Sequence, residues 1–353
     1  MYSIPEILFE EVAGPDGHLG LITLRRQQAL NALNHDMFLA LDAQLIEWDK
    51  ASHIKAVVIK AAEGRAFCAG GDIRHAYEMK MANDSAGLPI FFRDEYRMNK
   101  RIHHFSKPYI ALLDGITMGG GVGISLHGSH RVATEKLVFS MPETGIGFYP
   151  DVGATYYLSR FPDCMGIYLG LTGARIGADD CAALDIVQTI VTHDDLQKMI
   201  DTLIQSSIPD KNTVTMIIKK FALPAGKSLL FEHKDEINNC FSKNTVEDIL
   251  SALENDPSEW CQQTASIIKT KSPTSLKVTL LALQQAARLD FDACMQMEYR
   301  LTSRFVQQHD FFEGIRAAII DKDQKPKWQP AILQEVEMSQ VKKYFVPLQE
   351  ELV

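Results

Sequence analysis

The sequence predicts an α/β fold in which a buried, mostly parallel sheet is followed by a mainly helical region. Short apolar runs typical of strands alternate with segments of helical periodicity in the first half of the chain. Glycine-rich turns follow several of these runs, and the strand signals become sparse from about Asp194 onward. Strands that alternate with helices favour a parallel sheet covered on both faces. We therefore divide the chain into a core of residues 1–200 and a mainly helical region of residues 201–353.

The first predicted elements follow a strand, helix, strand order. The apolar run Leu19–Leu24 comes after the turn-forming residues 14–17 and predicts a strand. Asn34 is suited to cap a helix that continues to about Trp48, because apolar residues recur there at helical spacing. The run Ala56–Lys60 predicts the next buried strand.

The later elements are predicted from the same signals. A long amphipathic stretch from Ile73 to Phe105 predicts helix, with a break near Gly87-Leu-Pro89. Further strands are expected at three short apolar runs, which are Pro108–Leu113, Arg131–Thr134 and Leu137–Ser140. Helices are expected from about Val152 and over Leu276–Leu289, whereas the polar chain after Trp328 is expected to form a surface extension.

The composition is that of a globular protein with an acidic surface. Apolar residues make up 46% and charged residues 23% of the 353 residues, and the net charge is -9. Such a charge gives no general attraction to nucleic acid or to an anionic membrane. The longest apolar stretch, Tyr109–Leu126, is interrupted by Asp114 and several glycines, which argues against a membrane span. We therefore expect neither nucleic acid nor a membrane among the partners.

The cysteines and the first residues bear on the cellular compartment. Six cysteines are scattered along the chain without a C-x-x-C pair, which predicts neither a disulfide framework nor a zinc site and favours a reducing compartment. The residues from Met1 to Glu6 have neither the pattern of a signal peptide nor that of a transit peptide. We expect a cytoplasmic protein, or a mitochondrial-matrix protein if a transit peptide has been removed from a eukaryotic precursor.

Two glycine clusters, Ala69-Gly-Gly-Asp72 and Met118-Gly-Gly-Gly-Val-Gly123, each follow an apolar strand. Glycine has no Cβ, so two such turns side by side would aim two backbone N–H groups at one oxygen. The alternative is that the glycines serve tight turns and close helix packing. Neither cluster matches a Walker loop or a Rossmann fingerprint. The segment Gly123-Ile-Ser125-Leu-His127 misses the G-x-S-x-G hydrolase motif, so Ser125 is expected to be a packed helix residue.

Two carboxylates, Glu143 and Asp151, lie in an apolar loop shaped by glycine and proline. Apolar surroundings raise the pKa of a carboxyl group and make it useful as a base or a nucleophile. The alternative for Asp151 is that it caps a helix beginning at Val152. Glu95 lies in a charged helical segment, where a solvated surface position is the default interpretation. The histidines show no metal-ligand spacing and are expected to be structural.

Together these segments resemble the crotonase (enoyl-CoA hydratase/isomerase) superfamily. The resemblance to the superfamily rests on Ala29-Leu-Asn-Ala-Leu-Asn34, Ala66-Phe-Cys-Ala-Gly-Gly-Asp-Ile73 and Gly115-Ile-Thr-Met-Gly-Gly-Gly-Val-Gly123. Other segments resemble the branch that hydrolyses 3-hydroxyisobutyryl-CoA, among them Phe91-Phe-Arg-Asp-Glu-Tyr96, Met141-Pro-Glu-Thr144 and Pro150-Asp-Val-Gly153. Motifs of the C-terminal half agree, so the resemblance extends over nearly the whole chain.

The resemblance implies a spiral of ββα units with a helical C-terminal region, and acyl-CoA thioesters as substrates. It implies an oxyanion hole made by the N–H groups of Ala69 and Gly120. It also implies that Glu143 is the catalytic glutamate and Asp151 its acidic partner. The substrate-binding positions that it implies are Glu95, Gly70, Gly71, Asp72 and Gly119. The family needs no metal and no redox cofactor, and CoA is part of the substrate.

One position separates hydrolysis from hydration. Hydratases of the superfamily carry a first catalytic glutamate just after the glycine cluster, and Gly123 occupies that position here. Hydration needs two carboxylates that share one water, so the resemblance favours hydrolysis of 3-hydroxyisobutyryl-CoA, a step of valine breakdown. The alternatives are an enoyl-CoA hydratase or isomerase and a non-catalytic acyl-CoA-binding protein. The superfamily also suggests a homo-oligomer, unless the helical tail folds over its own active site.

Overall fold

The computed structural model describes residues 4–82, 84 and 87–353. Part of the N-terminal segment on which the targeting expectation rests therefore lies outside the described residues. The chain forms two compact units, each built from three segments. The first unit comprises Met1–Gly71, Arg97–Phe139 and Arg175–Leu229, and the second comprises Asp72–Tyr96, Ser140–Ala174 and Leu230–Val353. These units do not follow the division at residue 200 that the sequence suggested.

The strands of the described residues form two sheets. They are β1 (Ile7–Ala13), β2 (His18–Leu24), β3 (Ile54–Ala61), β4 (Ala66–Cys68), β5 (Tyr109–Leu113), β6 (Ile116–Met118), β7 (His130–Thr134), β8 (Val138–Ser140) and β9 (Thr189–Val191). The larger sheet has the order β1-β2-β3-β5-β7-β9, and the smaller has the order β4-β6-β8. All neighbours in the larger sheet are parallel except β1 and β2. This confirms the predicted mostly parallel sheet.

The order of the strands also confirms the spiral of ββα units. Three strands of the larger sheet, β3, β5 and β7, are each followed by one short strand of the smaller sheet. In the first two repeats a helix comes next in the chain. The chain therefore alternates between the two sheets. In these two repeats a loop leads from the short strand into the helix, first between β4 and α2 and then between β6 and α4.

Helices cover the sheets and make up most of the second unit. They are α1 (His35–Lys50), α2 (Ile73–Met81), α3 (Gly87–His103), α4 (Gly120–Gly123), α5 (Ala154–Leu158), α6 (Met165–Thr172), α7 (Ala178–Ala183), α8 (Leu196–Gln205), α9 (Lys211–Lys219), α10 (Lys234–Phe241), α11 (Val246–Asn255), α12 (Glu259–Lys269), α13 (Pro273–Ala286), α14 (Phe291–Phe305), α15 (His309–Ile315) and α16 (Met338–Lys343). The side chain of Asn34 caps α1 as predicted, since it accepts the N–H of Met37 at 2.9 Å. None of the described helices is long and apolar enough to cross a membrane.

The core of the first unit explains why the unit extends beyond residue 200. Val58 and Val132 of the larger sheet share one buried cluster with Met199 and Leu203 of α8 and Ile217 of α9. These helices bury their apolar faces on strands that lie much earlier in the chain. Their hydrophobic contacts therefore assign residues 201–229 to the unit that contains the sheet.

The strand β1 and the start of α3 differ from the prediction. The strand β1 was not predicted, because Glu10 and Glu11 interrupt its apolar alternation; only Ile7 and Phe9 are fully buried. It pairs with β2 through a turn in which the N–H of Gly14 donates to Gly17 at 2.7 Å. The helix break precedes Gly87, so Pro89 lies in the first turn of α3, where a missing N–H costs little.

The chain after Trp328 is mostly exposed, as expected of a surface extension, but a few of its apolar side chains anchor it. Within the second unit its side chains Leu333, Val336, Val341 and Leu352 are buried. The Lys277 ammonium group on α13 donates to the carbonyl of Val336 at 2.8 Å. Apolar residues in this segment are too few and too widely spaced to show a helical or strand period, so no local pattern indicates their burial.

Candidate active site

The two glycine clusters form neighbouring loops in the first unit. A Cβ placed on Gly70 would lie 3.6 Å from the carbonyl oxygen of Met118 and 3.8 Å from the nitrogen of Gly120. A Cβ placed on Gly121 would lie 2.1 Å from the carbonyl oxygen of Cys68, far inside contact distance. The absence of a side chain at Gly121 therefore lets α4 begin directly against the end of β4.

Ala69 cannot supply the predicted oxyanion N–H group, because that group is already in use. Its N–H donates to the carbonyl of Leu30 at 3.0 Å. The next peptide offers a better donor. The carbonyl of Gly70 accepts the N–H of Leu33 at 2.9 Å, and a trans peptide points its N–H opposite to its C=O. The N–H of Gly71 therefore points away from the segment that contains Leu33.

The N–H of Gly120 is presented in the same way. The carbonyl of Gly119 accepts the N–H groups of Val122 at 2.8 Å and Gly123 at 3.2 Å, inside the first turn of α4. The N–H of Gly120 belongs to the same peptide and points out of the turn. Gly119 has a φ of +48°, a conformation that favours glycine. The pair of donors is therefore Gly71 and Gly120, in place of Ala69 and Gly120.

Asp72 has a structural role at the end of the first loop. Its carboxylate accepts the N–H of His75 at 3.3 Å and caps α2. The predicted contact between Asp72 and a substrate stays a prediction. Gly123, which stands at the position that separates the branches, is buried at the end of α4.

Glu143 is buried in the second unit on a short turn, Glu143–Ile146. Its Oε2 has no hydrogen-bond partner among the described residues. Burial, and then the charge of Asp151, raise the pKa of Glu143 well above its ordinary value. The turn is fixed by its neighbours: the Thr144 hydroxyl donates to Leu171 at 3.1 Å, and the N–H of Ser272 donates to Thr144 at 3.1 Å. A rigid turn thus holds a poorly solvated carboxylate with one free oxygen.

Asp151 is buried in the same unit and does not cap a helix. The residue before α5 is Gly153, and no side chain caps this helix. Instead Oδ2 of Asp151 lies 2.6 Å from the hydroxyl of Tyr96. Burial raises the pKa of Asp151, against the opposing effect of that hydrogen bond. The alternative of a helix cap is therefore wrong.

Glu95 joins these two carboxylates, contrary to the default interpretation of a solvated helix face. It is only 2% exposed. Burial, followed by the charges of Asp151 and Glu143, raises the pKa of Glu95 well above its ordinary value. Three buried carboxyl groups that repel one another cannot all be ionised. Such a cluster is costly to stability and is typical of a functional site.

Glu298, which lies in one of the matching C-terminal motifs but received no role, holds the backbone beside Asp151. Its carboxylate accepts the N–H of Gly153 at 2.6 Å, the N–H of Thr155 at 3.0 Å and the Thr155 hydroxyl at 2.5 Å. Burial raises the pKa of Glu298 to about 8 although these hydrogen bonds oppose the change. Val152 has a φ of +53°, an uncommon conformation for a β-branched residue. The carboxylate of Glu298 therefore stabilises a strained turn next to Asp151.

A chain of hydroxyl groups leads away from Asp151 within the second unit. The Tyr96 oxygen lies 2.5 Å from Oγ1 of Thr302, and Oγ1 lies 2.8 Å from the Tyr149 oxygen. The Tyr149 hydroxyl donates to the carbonyl of Glu298 at 2.5 Å. All of these side chains are buried. Sequence analysis missed Thr302 and Tyr149, because a buried threonine or tyrosine has no distinctive spacing; Tyr96 lay inside a quoted motif but received no role.

The geometry of each unit indicates a kind of chemistry. The first unit presents two backbone N–H groups, which are suited to a developing negative charge on oxygen. The second unit presents carboxyl groups with raised pKa values, which are suited to nucleophilic or acid–base work. Among the described residues, no three His, Cys, Asp or Glu side chains are arranged as a metal site.

Comparison with known proteins agrees with these features. A family model described as enoyl-CoA hydratase/isomerase matches residues 19–345. The chain belongs to the enoyl-CoA hydratase/isomerase family. A human relative named "3-hydroxyisobutyryl-CoA hydrolase, mitochondrial" is 42% identical over 97% of this chain and 89% of the human protein. A rat relative of the same name is 43% identical over 94% of this chain and 87% of the rat protein.

Solved structures of the family have the same fold. A structure described as a carnitinyl-CoA dehydratase from Mycobacterium thermoresistibile has a TM-score of 0.91 and 36% identity, and covers 99% of this chain and 98% of its own. A structure described as an enoyl-CoA hydratase from Rhodobacter sphaeroides 2.4.1 has a TM-score of 0.88 and 36% identity, with coverage of 97% and 98%. The names of these family members thus include both a hydrolase and hydratases or dehydratases.

Proposed function

We propose that this protein hydrolyses the thioester of 3-hydroxyisobutyryl-CoA to the free hydroxy acid and CoA. The observation that carries the proposal is Glu143, a buried carboxylate on a fixed turn with an unpartnered oxygen. The names of the human and rat relatives, which are 42% and 43% identical over nearly the whole chain, support the same substrate. The reaction uses water and side chains, with CoA as part of the substrate and no further cofactor.

The chemistry begins with polarisation of the thioester carbonyl. Its oxygen accepts hydrogen bonds from the N–H groups of Gly71 and Gly120, and these bonds strengthen as negative charge develops on that oxygen. Each such donor typically contributes about 10²–10³ in rate.

Glu143 then acts either as the nucleophile or as the general base. As an ionised carboxylate it either adds to the carbonyl carbon and expels the CoA thiolate, forming an anhydride that water then cleaves to the free acid and Glu143, or it removes a proton from a water that adds to the carbonyl carbon and displaces the CoA thiolate. Both routes need the ionised form and a free oxygen. Asp151 and Glu95 contact the acyl group: Asp151 hydrogen-bonds the 3-hydroxyl and positions the water or the leaving group, and Glu95 contributes to the same pocket.

The principal alternative is hydration of an enoyl-CoA, which the names of the two similar solved structures suggest. Gly123 argues against it, because glycine provides no second carboxylate after the glycine cluster.

The names of the relatives also specify mitochondria. They support a mitochondrial location for this chain if it is a eukaryotic protein, and we propose that it acts in the matrix in a step of valine breakdown.

A thiol-release assay tests the proposal. The purified protein is incubated with 3-hydroxyisobutyryl-CoA, with isobutyryl-CoA, which lacks the hydroxyl, and with crotonyl-CoA. We expect release of free CoA from the hydroxy ester, with a kcat/KM about five- to tenfold above that for the deoxy ester, since one hydrogen bond contributes roughly 1–1.5 kcal/mol. Loss of the enoyl absorbance without thiol release would instead support the hydratase.

A further inference from the structure

The hydroxyl chain beside Asp151 can have a hydrogen in each of its four short contacts only if the carboxyl group of Asp151 carries a proton. It joins Asp151, Tyr96, Thr302 and Tyr149 and ends on the carbonyl of Glu298, so four contacts of 2.5–2.8 Å need four hydrogens. The carbonyl only accepts, and each hydroxyl carries one hydrogen. Tyr149 must therefore donate to Glu298, Thr302 to Tyr149, and Tyr96 to Thr302.

The last contact decides the state of Asp151. The single hydrogen of Tyr96 is used towards Thr302, so the 2.6 Å contact with Asp151 needs a hydrogen from the carboxyl group. If Asp151 is ionised, three hydrogens serve four contacts, and two buried oxygens face each other without one. The direct distance of 3.5 Å between the Tyr96 and Tyr149 oxygens is too long to replace the missing link.

We propose that Tyr96, Thr302 and Tyr149 are positioning residues that keep a proton on Asp151 and thereby leave Glu143 as the ionised carboxylate of the pair. This inference rests on the proposed function of Glu143. The carboxyl groups in this part of the second unit repel one another, so the one that holds a proton determines which is free to ionise. Of these carboxyl groups, the hydroxyl chain contacts only that of Asp151. We therefore assign the proton to Asp151.

The charged and titratable groups around Asp151 are consistent with this assignment. Glu95 faces it from α3, Glu143 from its turn and Glu298 from α14, and the remaining neighbours are the phenols Tyr96 and Tyr149. Burial disfavours a negative charge on Asp151, whereas a backbone N–H group and a hydrogen donated by Tyr96 would favour it. The chain assigns that hydrogen to Thr302.

Replacing links of the chain by isosteres tests the proposal. In Thr302→Val the Tyr96 hydrogen is released and can donate to an ionised Asp151. In Tyr149→Phe the Thr302 hydrogen is released to Tyr96, with the same result. Asp151 should then ionise at lower pH, and its charge should raise the pKa of Glu143. We expect the acidic limb of the kcat/KM profile for 3-hydroxyisobutyryl-CoA to move to higher pH by about one unit in both variants.

Two further variants separate this effect from a general structural one. Thr279→Val removes another buried threonine hydroxyl of the second unit, one that has no partner among the described residues, and should leave the acidic limb in place. Asp151→Asn presents N–H hydrogens to Tyr96 as a protonated carboxyl group does. Its turnover should fall, but its acidic limb should stay at the wild-type pH. An acidic limb that does not move in Thr302→Val or Tyr149→Phe would overturn the proposal.

Infrared spectroscopy of the substrate-free protein provides a measurement independent of activity. The difference spectrum between wild type and Asp151→Asn at pH 7 should contain the carbonyl stretch of a protonated carboxyl group, which shifts when aspartate is labelled with ¹³C. In Thr302→Val this band should disappear at a pH about one unit lower than in wild type. Absence of the band from wild type would overturn this inference and leave the hydrolase proposal standing. Full thiol release by Glu143→Gln would instead remove the proposed function.

Discussion

The phenol oxygen of Tyr96 lies 2.6 Å from Oδ2 of Asp151, with both side chains buried in the second unit. This contact distinguishes the two interpretations of Asp151 that the sequence allowed. A helix-capping aspartate would accept backbone N–H groups of α5, and the side chain of Asp151 does not. Glu298 accepts the N–H groups of that turn instead. The carboxyl group of Asp151 is therefore not used as a cap and can gain or lose a proton.

The buried carboxyl groups should make stability depend on pH. The pKa of Glu95 is raised in the folded protein, mainly by burial, so the folded state binds more protons than the unfolded state above the ordinary pKa of glutamate. Its contribution to stability is therefore present at low pH and is lost as the pH rises through the raised value. We expect Glu95→Gln to increase the free energy of unfolding at pH 8 by about 1–2 kcal/mol.

Urea unfolding at pH 4 and pH 8 provides the measurement. The gain should nearly vanish at pH 4, where Glu95 of the wild type is protonated in the folded state and mostly protonated in the unfolded state. Glu350→Gln, a change at an exposed position, should have no effect at either pH. Equal stability of Glu95→Gln and wild type at pH 8 would show that the burial of Glu95 carries no electrostatic cost.

The hydrogen bonds of Glu298 should be needed for the turn beside Asp151. In Glu298→Gln an amide NH₂ group must face either the N–H of Gly153 or the donors of Thr155, so at least one buried donor loses its acceptor. We expect a loss of stability of about 1–3 kcal/mol and a lower kcat. Chemical unfolding and thiol release measure the two effects. A variant as stable as the wild type would mean that these hydrogen bonds do not maintain the turn.

Close packing of the two glycine loops should depend on Gly121. A methyl group at this position would overlap the carbonyl of Cys68, so Gly121→Ala must displace α4. We expect a loss of stability of about 1–3 kcal/mol and reduced turnover. Gly64→Ala is the matched control, because its nearest neighbour would lie at an ordinary 3.5 Å. Similar melting temperatures for the two variants would contradict the predicted overlap.

The oxyanion role of Gly120 can be separated from binding. Gly120→Pro removes the N–H group at the first position of α4, where proline is generally tolerated in helices. We expect kcat to fall about 10²–10³-fold, with a much smaller change in substrate affinity. Circular dichroism must first show an intact fold. If an intact variant loses affinity and kcat to the same extent, the N–H does not act selectively on the transition state.

The sequence predicts most of the fold because its strands are nearly continuous apolar runs and its helices are periodic. The predictions for α1, β3, β5 and α13 agree with the structure because each has a strong local signal. The tail after Trp328 was predicted to be exposed because its few apolar residues, such as Leu333 and Val341, are spaced irregularly. Tertiary contacts alone determine their burial.

The residues of the candidate site were likewise only partly predictable from the sequence. Glu143 and Asp151 stand out because carboxylates are uncommon in apolar, glycine-rich segments. Ala69 was chosen over Gly71 as the hydrogen-bond donor because a motif does not indicate which N–H of a loop is already bound; the carbonyl of Leu30 determines this. Thr302 and Glu298 lie almost 150 residues from Asp151 in sequence, and only packing brings them together.

The central claim is that ionised Glu143 attacks the thioester or activates the water that does so. The most direct test is thiol release from 3-hydroxyisobutyryl-CoA by Glu143→Gln, with Glu63→Gln at an exposed turn as the matched control. We predict that kcat falls by at least about 10²–10⁴-fold, because the amide is neither a nucleophile nor a base, while substrate affinity measured by calorimetry is retained. Glu63→Gln should retain full activity. Near-normal turnover by a correctly folded Glu143→Gln protein would contradict the account.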